Sequence, residues 1–143
     1  MKTKSILLLS ALTLGLGLLT GCNKDDDKYE LPPATLLGKW YYSKVGTNVG
    51  GAEVLANYDG NEAGCTKDYI ELTDNNVFAD IDFDSTDAPC EAISRVGTWA
   101  STGNTVVVDY GDDVITGTIL NLSYTELKVQ DNDSGQIVVY TRE

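Results

Sequence analysis

Four carboxylates in the stretch DIDFDSTDAPCE, Asp80, Asp82, Asp84 and Glu91, stand at positions 1, 3, 5 and 12 of a calcium-loop spacing. Oxygen ligands so placed could wrap a hard cation. Position 6, where such loops turn on glycine, is Ser85, and no helical pattern flanks the stretch. The same residues read as a strand with Asp80, Asp82 and Asp84 on its solvent face, and this reading is preferred, so no metal site is assigned. The segment DNDSG at 131–135 likewise reads as a hairpin turn before it reads as a metal loop. The chain has no histidine, which removes Ser-His and Cys-His catalysis and the usual zinc and copper ligand sets. Glycoside hydrolysis needs only two carboxylates. Among 22 acidic residues, however, no pair is singled out by spacing. No catalytic residue and no cofactor is assigned, and the chain is expected not to be an enzyme.

Three cysteines remain to be placed. The chain opens on a basic stretch with Lys2 and Lys4, followed by an apolar run at 5–20. That run is shorter than the roughly 20 residues a bilayer span needs. Basic start, short apolar core and small residues at the end describe a secretory signal peptide at 1–21; the alternative is a single transmembrane anchor. Leu19-Thr20-Gly21-Cys22 resembles the lipobox of bacterial lipoproteins. The resemblance implies cleavage before Cys22 and acylation of its thiol, an anchor that holds stably once two or more chains are attached. Asn23 after the cysteine favours the outer over the inner membrane by resemblance to enterobacterial sorting. The NKDDDK that follows resembles the short signals that carry Bacteroidetes lipoproteins to the cell surface. The expected location is therefore the outer membrane, lipid-anchored and surface-exposed.

Removal of 1–21 would take two lysines and no acids, leaving 8 basic against 22 acidic residues and a net charge of -14. Such a chain is repelled by nucleic acid. Residues 22–35, with four acids and the Pro32-Pro33 pair, read as a lipidated cysteine and acidic tether. Cys65 and Cys90 are left to each other, and two cysteines in an exported domain are expected to pair. They precede what read as the third and fifth strands, which lie about 9.6 Å apart in a sheet. A disulfide needs Cα atoms about 4.4–6.8 Å apart, so the loops rather than the strand bodies must meet.

The elements that would position these residues are strands. From residue 36 onward short alternating runs recur between turn residues, at 38–45, 51–58, 67–73, 77–83, 93–100, 105–110, 114–122, 126–131 and 136–142. In the fourth, Val77, Ala79, Ile81 and Phe83 share one face, taken as the inner one. Eight or nine strands joined by hairpin-length turns favour a meander, and closure of the meander removes its exposed edges. The expected fold is all-β, a small up-and-down antiparallel barrel over 36–143, with a β-sandwich as the alternative.

Leu36-Leu37-Gly38-Lys39-Trp40 carries a Gly-x-Trp that resembles the lipocalin signature. Together with Cys65 ahead of KDYIEL at 67–72, Cys90, Gly97-Thr98-Trp99 and Tyr140-Thr141-Arg142, it is similar to Bacteroidetes outer-membrane lipoproteins with a lipocalin-like domain. The chain lacks the Thr-Asp-x-x-Tyr motif of true lipocalins, and no helical pattern follows its last strand. The resemblance implies that Trp40 closes one barrel end with Arg142 packed across it. The expected role is a binding module that holds a small apolar or amphipathic ligand, with Phe83, Trp99 and Tyr140, from the inward-facing pattern, as candidate contacts. Other inward candidates are Ile70, Leu72, Ile81, Val106, Val108, Ile115, Ile119, Leu127 and Val129. The alternative is a structural or interaction protein with a filled core. A cavity above about 300 Å3 would favour the ligand-binding reading, and its absence the filled core. The protein is expected to be a monomer that meets the membrane through its N-terminal lipid anchor.

Overall fold

The computed structural model describes residues 33–142, and these contain no helix. The signal peptide at 1–21, the lipidation site Cys22 and the tether up to Pro32 lie outside the described residues. Nine strands follow one another: β1 (Gly38–Val49), β2 (Ala52–Asn57), β3 (Tyr69–Leu72), β4 (Val77–Asp84), β5 (Glu91–Thr102), β6 (Thr105–Asp109), β7 (Val114–Leu122), β8 (Glu126–Asp131) and β9 (Gln136–Thr141). Every neighbouring pair is antiparallel, and β1 also pairs with β9, which closes the sheet. The result is an eight-strand up-and-down barrel of β1 and β3–β9, with β2 as an addition. Closure gives each of the eight wall strands a neighbour on both sides.

The length of β1 accounts for the extra strand. Its first part, Gly38–Tyr41, pairs with β3. Its second part, Lys44–Val49, pairs with β2. A register shift between Tyr42 and Lys44 separates the halves on the β9 side, a bulge that turns the strand. Gly46 takes the hairpin over the outer surface of the barrel. A Cβ there would run into the β2 backbone at Val54 and Leu55. Ile137 lies opposite Gly46 in the ladder and is fully buried although it points away from the barrel axis. The ion pair of Glu53 on β2 with Lys128 on β8, 2.7 Å, spans the outer face of β9.

The two ends differ. At the first, Leu36, Trp40, Leu72, Phe78 and Leu127 form the base of the core, with Trp40 wholly inaccessible. The Trp40 indole donates to the Leu36 carbonyl at 2.8 Å. The Arg142 guanidinium lies 3.8 Å from the Trp40 ring centre and donates to the carbonyls of Leu37 at 2.6 Å and Thr35 at 3.2 Å. Burial lowers the Arg142 pKa from its ordinary value. Gly38 opens β1 at φ 104°, a conformation costly for any side chain-bearing residue, and this gives the Gly-x-Trp pattern a physical reason. At the second end the loops 58–68 and 85–90 meet, joined by the Cys65–Cys90 disulfide with Cα atoms 5.3 Å apart. As the strand spacing required, the bond joins loops and not strand bodies.

One face assignment is corrected. Ile70 and Leu72 point into the core, and they pair with Asp80 and Phe78. The inward side of β4 is therefore Phe78, Asp80 and Asp82, and the outward side is Val77, Ala79, Ile81 and Phe83. Phe83 packs on Tyr69, ring centres 6.3 Å apart, and Tyr69 meets Tyr41 edge-on at 5.8 Å, all outside the barrel. Counting apolar residues chose the wrong face, because register with β3 sets the phase of the pleat. Nor is β4 an edge strand whose acids could shield it, since β3 and β5 flank it. Asp84 and Glu91 face each other across the β4–β5 ladder, and Asp84 accepts from Thr86 N at 3.1 Å. The four carboxylates of the calcium spacing thus lie along a hairpin instead of wrapping one point. No group of metal-ligating side chains gathers among the described residues.

Candidate ligand-binding cavity

Above the plugged base the barrel is hollow. A cavity of about 240 Å3 runs from Leu36, Phe78 and Leu127 to Asp80, Asp131 and Gln136. Its wall is mostly apolar because each strand turns alternate residues inward. β3 supplies Ile70 and Leu72, β6 Val106 and Val108, and β7 Ile115 and Gly117. β8 supplies Leu127 and Val129, and β9 Val138 and Tyr140. Gly117 leaves room that a side chain would deny: a Cβ there would come within 2.6 Å of Val129.

A second space of about 210 Å3 adjoins the first at the disulfide-bearing end, lined by Tyr42, Tyr58, Asp68, Asp80 and Asp82. Tyr42 and Asp80 line both. The Tyr42 ring stacks on Tyr58 with centres 4.8 Å apart and tilts against Tyr140 at the same distance. Its hydroxyl donates to Asp80 at 3.0 Å.

Asp68 holds this mouth together. It is 1% exposed and sits just before β3, where the ladder to β4 has not yet begun. Its carboxylate takes the place of a strand: one oxygen accepts from Phe83 N at 2.8 Å and the other from the Tyr58 hydroxyl at 2.9 Å. Its own N–H donates to Asn61 at 2.8 Å, and its carbonyl accepts from Tyr42 N at 3.2 Å. One side chain thus ties the end of β2 and the loop after it to β4.

Burial dominates the electrostatics of the mouth. It pushes the Tyr42, Tyr58 and Tyr140 phenols well above their ordinary value, so all three stay protonated donors. Tyr110, edge-on to Phe78 at 5.9 Å, is pushed up to about 12 by burial. Burial also raises Asp80, against the bond from Tyr42, and raises Asp82, where Asp68 adds to the effect. Arg95 stands opposite Asp80 in the ladder. Its guanidinium is nevertheless turned to Asp112 and Asp113, at 3.5 and 3.4 Å, and lies 3.7 Å from the Tyr110 ring centre.

Of the three candidate ligand contacts, Tyr140 lines the cavity. Trp99 does not; it packs at the edge of the core and donates to the Thr73 carbonyl at 3.1 Å. Phe83 is corrected as a contact, since it lies on the outer surface with Tyr69, and Ile81 goes with it. Ile119 packs against the core without lining the cavity. Tyr42, Tyr58 and Asp68 were not singled out as site residues from the sequence, and Asp80 was weighed only as a calcium-loop carboxylate and read as solvent-facing, whereas it lines the cavity. For Tyr42 a signal existed, because it lies two residues after Trp40 on one strand and so shares its face.

A closed antiparallel barrel, plugged at one end by tryptophan under arginine and hollow at the other, defines a β-barrel with an internal cavity. The model of the lipocalin-like domain family matches residues 36–129, and the chain belongs to that family. Two solved structures are similar in fold. One is a lipocalin-like protein from Bacteroides uniformis, with a TM-score of 0.56 and 13% identity over 76% of this chain and 98% of that one. The other is an uncharacterized protein from Bacteroides eggerthii, with a TM-score of 0.55 and 9% identity over 76% of this chain and all of the other. No curated protein sequence matches the chain.

Proposed function

We propose that this protein is a non-catalytic envelope lipoprotein whose barrel binds one small ligand with an apolar body. The observation that carries the reading is the cavity of about 240 Å3, walled mainly by valine, leucine, isoleucine and aromatic side chains, with Asp80, Asp131 and Gln136 toward its mouth. An empty apolar space costs packing energy that a filled core would keep. Pockets for drug-sized ligands start at about 300 Å3, so this one suits a smaller molecule. The anchoring half of the reading rests on the lipobox-like Leu19-Thr20-Gly21-Cys22, with acylation of Cys22 and export to the outer surface. Labelled palmitate should enter the wild type and not Cys22→Ser. Protease applied to whole cells should remove the domain, and protection from it contradicts surface exposure.

The ligand claim is tested with a fluorescent probe of about naphthalene size. It should bind the wild type one to one and fail to bind Val106→Phe, which fills the cavity, while that variant keeps its melting temperature. Equal binding by both proteins contradicts an internal site. The competing reading, an interaction protein with no small-molecule ligand, draws on the cavity falling below the 300 Å3 mark. It requires that no probe of any size enters.

A further inference from the structure

The chemistry of the mouth narrows the ligand class. Accepting that the cavity binds a ligand, we propose that this ligand is a cationic amphiphile. Its apolar body lies among Ile70, Val108 and Leu127, and its ammonium group lies among Tyr42, Tyr58, Asp80 and Asp82. The two spaces are neighbours, since Tyr42 and Asp80 line both, and one molecule that fills the apolar part and reaches the polar part passes this hydrogen-bonded pair. The polar part has two properties that select a cation. Its aromatic wall is Tyr42 and Tyr58, stacked at 4.8 Å; Tyr42 is also engaged by Tyr140 at 4.8 Å, which leaves Tyr58 as the ring to offer a face. Aromatic faces attract ammonium groups and repel anions. Its remaining wall is carboxyl groups, and the hydrogen bond to Asp80 comes from a neutral phenol, with the Arg95 charge acting on it only through space. Arg95, across the ladder from Asp80, is drawn out of the space by Asp112 and Asp113 and by the face of Tyr110. A carboxylate or phosphate head would meet like charge there. An ammonium would give Asp80 an opposite charge in a partly dehydrated setting, where screening by salt is weaker than at the surface.

Three probes with one tail separate the possibilities: octyltrimethylammonium, octanol and octanoate, titrated calorimetrically into the intact protein below their micelle concentrations. The ammonium should bind at least tenfold more tightly than either of the others. In Asp80→Asn that preference, the ratio of ammonium to octanol affinity, should fall several-fold. Asp82→Asn, at the more exposed edge of the space, should reduce it less, and serves if Asp80→Asn does not fold. Octanol or octanoate binding as tightly as the ammonium overturns the cationic assignment and leaves the cavity reading intact. So does an ammonium preference that survives in both variants. Failure of all three probes to bind overturns the cavity reading itself, and the assignment with it.

Discussion

Removing the Asp68 carboxylate should open the mouth of the barrel, whereas replacing it by an amide should not. The carboxylate is 1% exposed and accepts two hydrogen bonds, from Phe83 N at 2.8 Å and from the Tyr58 hydroxyl at 2.9 Å. Bonds to a charged acceptor contribute roughly 1.5–3 kcal/mol each, and a buried N–H left without a partner adds its own desolvation cost. Asp68→Ala deletes both bonds in a place where no ladder replaces them, so the expected loss is about 3–5 kcal/mol. At roughly 4 °C or more per kcal/mol for a domain of this size, the melting temperature should fall by at least about 12 °C. Asp68→Asn keeps a carbonyl oxygen for Phe83 N, and its amide can donate to the Tyr58 oxygen. It loses the contribution of the charge to the two bonds, about 2 kcal/mol in all, offset in part because Asp82 no longer faces a like charge. Guanidinium unfolding of wild type and the two variants measures the differences directly. Equal destabilisation by Ala and Asn would refute the reasoning, because it would place the importance of Asp68 in its charge and not in the two bonds. So would a loss below 1 kcal/mol for Ala.

Three further outcomes are expected. Trp40→Ala should cost about 3–5 kcal/mol as a truncation of a fully buried aromatic, and an unchanged melting temperature would remove Trp40 from the base of the core. Cys65→Ser opens a closure across 25 residues, worth about 3.5 kcal/mol in the chain-entropy model; a loss under 1 kcal/mol in denaturant would contradict it. Burial holds the Asp80 carboxyl above its ordinary value, so the folded state binds that proton more tightly than the unfolded chain. The resulting stabilisation is complete below about pH 4 and fades as pH rises through the raised folded value. Asp80→Asn, which does not ionise, should therefore gain in melting temperature relative to wild type between pH 4 and 7, and a gap that narrows over that range contradicts the sign.

Strand positions were legible because alternation and turn residues are local signals. The runs at 114–122 and 126–131 match β7 and β8 residue for residue. β1 was expected to stop at Val45 and continues to Val49, because its second half is held by a new partner, β2, which no local pattern reveals. The inner face of β4 was misread for a related reason. Four apolar residues lie on its outer side, and only the pairing of Asp80 with Ile70 shows that the acid points inward. The strand expected at 67–73 begins only at Tyr69, since Asp68 spends its carboxylate on β4 and the end of β2. The base of the barrel, with Trp40 beneath Arg142, rests on residues adjacent to strong sequence signals. The mouth is assembled from β1, β4 and the loop at 58–68, and its chemistry exists only after folding.

Native mass spectrometry of the protein taken from its own cells tests the binding account most directly. The account predicts one small molecule per chain, retained under gentle ionisation, lost on unfolding, and distinct from any covalent acyl mass. A folded chain that carries only covalent modifications, and stays so after incubation with octyltrimethylammonium and octanol, would contradict it.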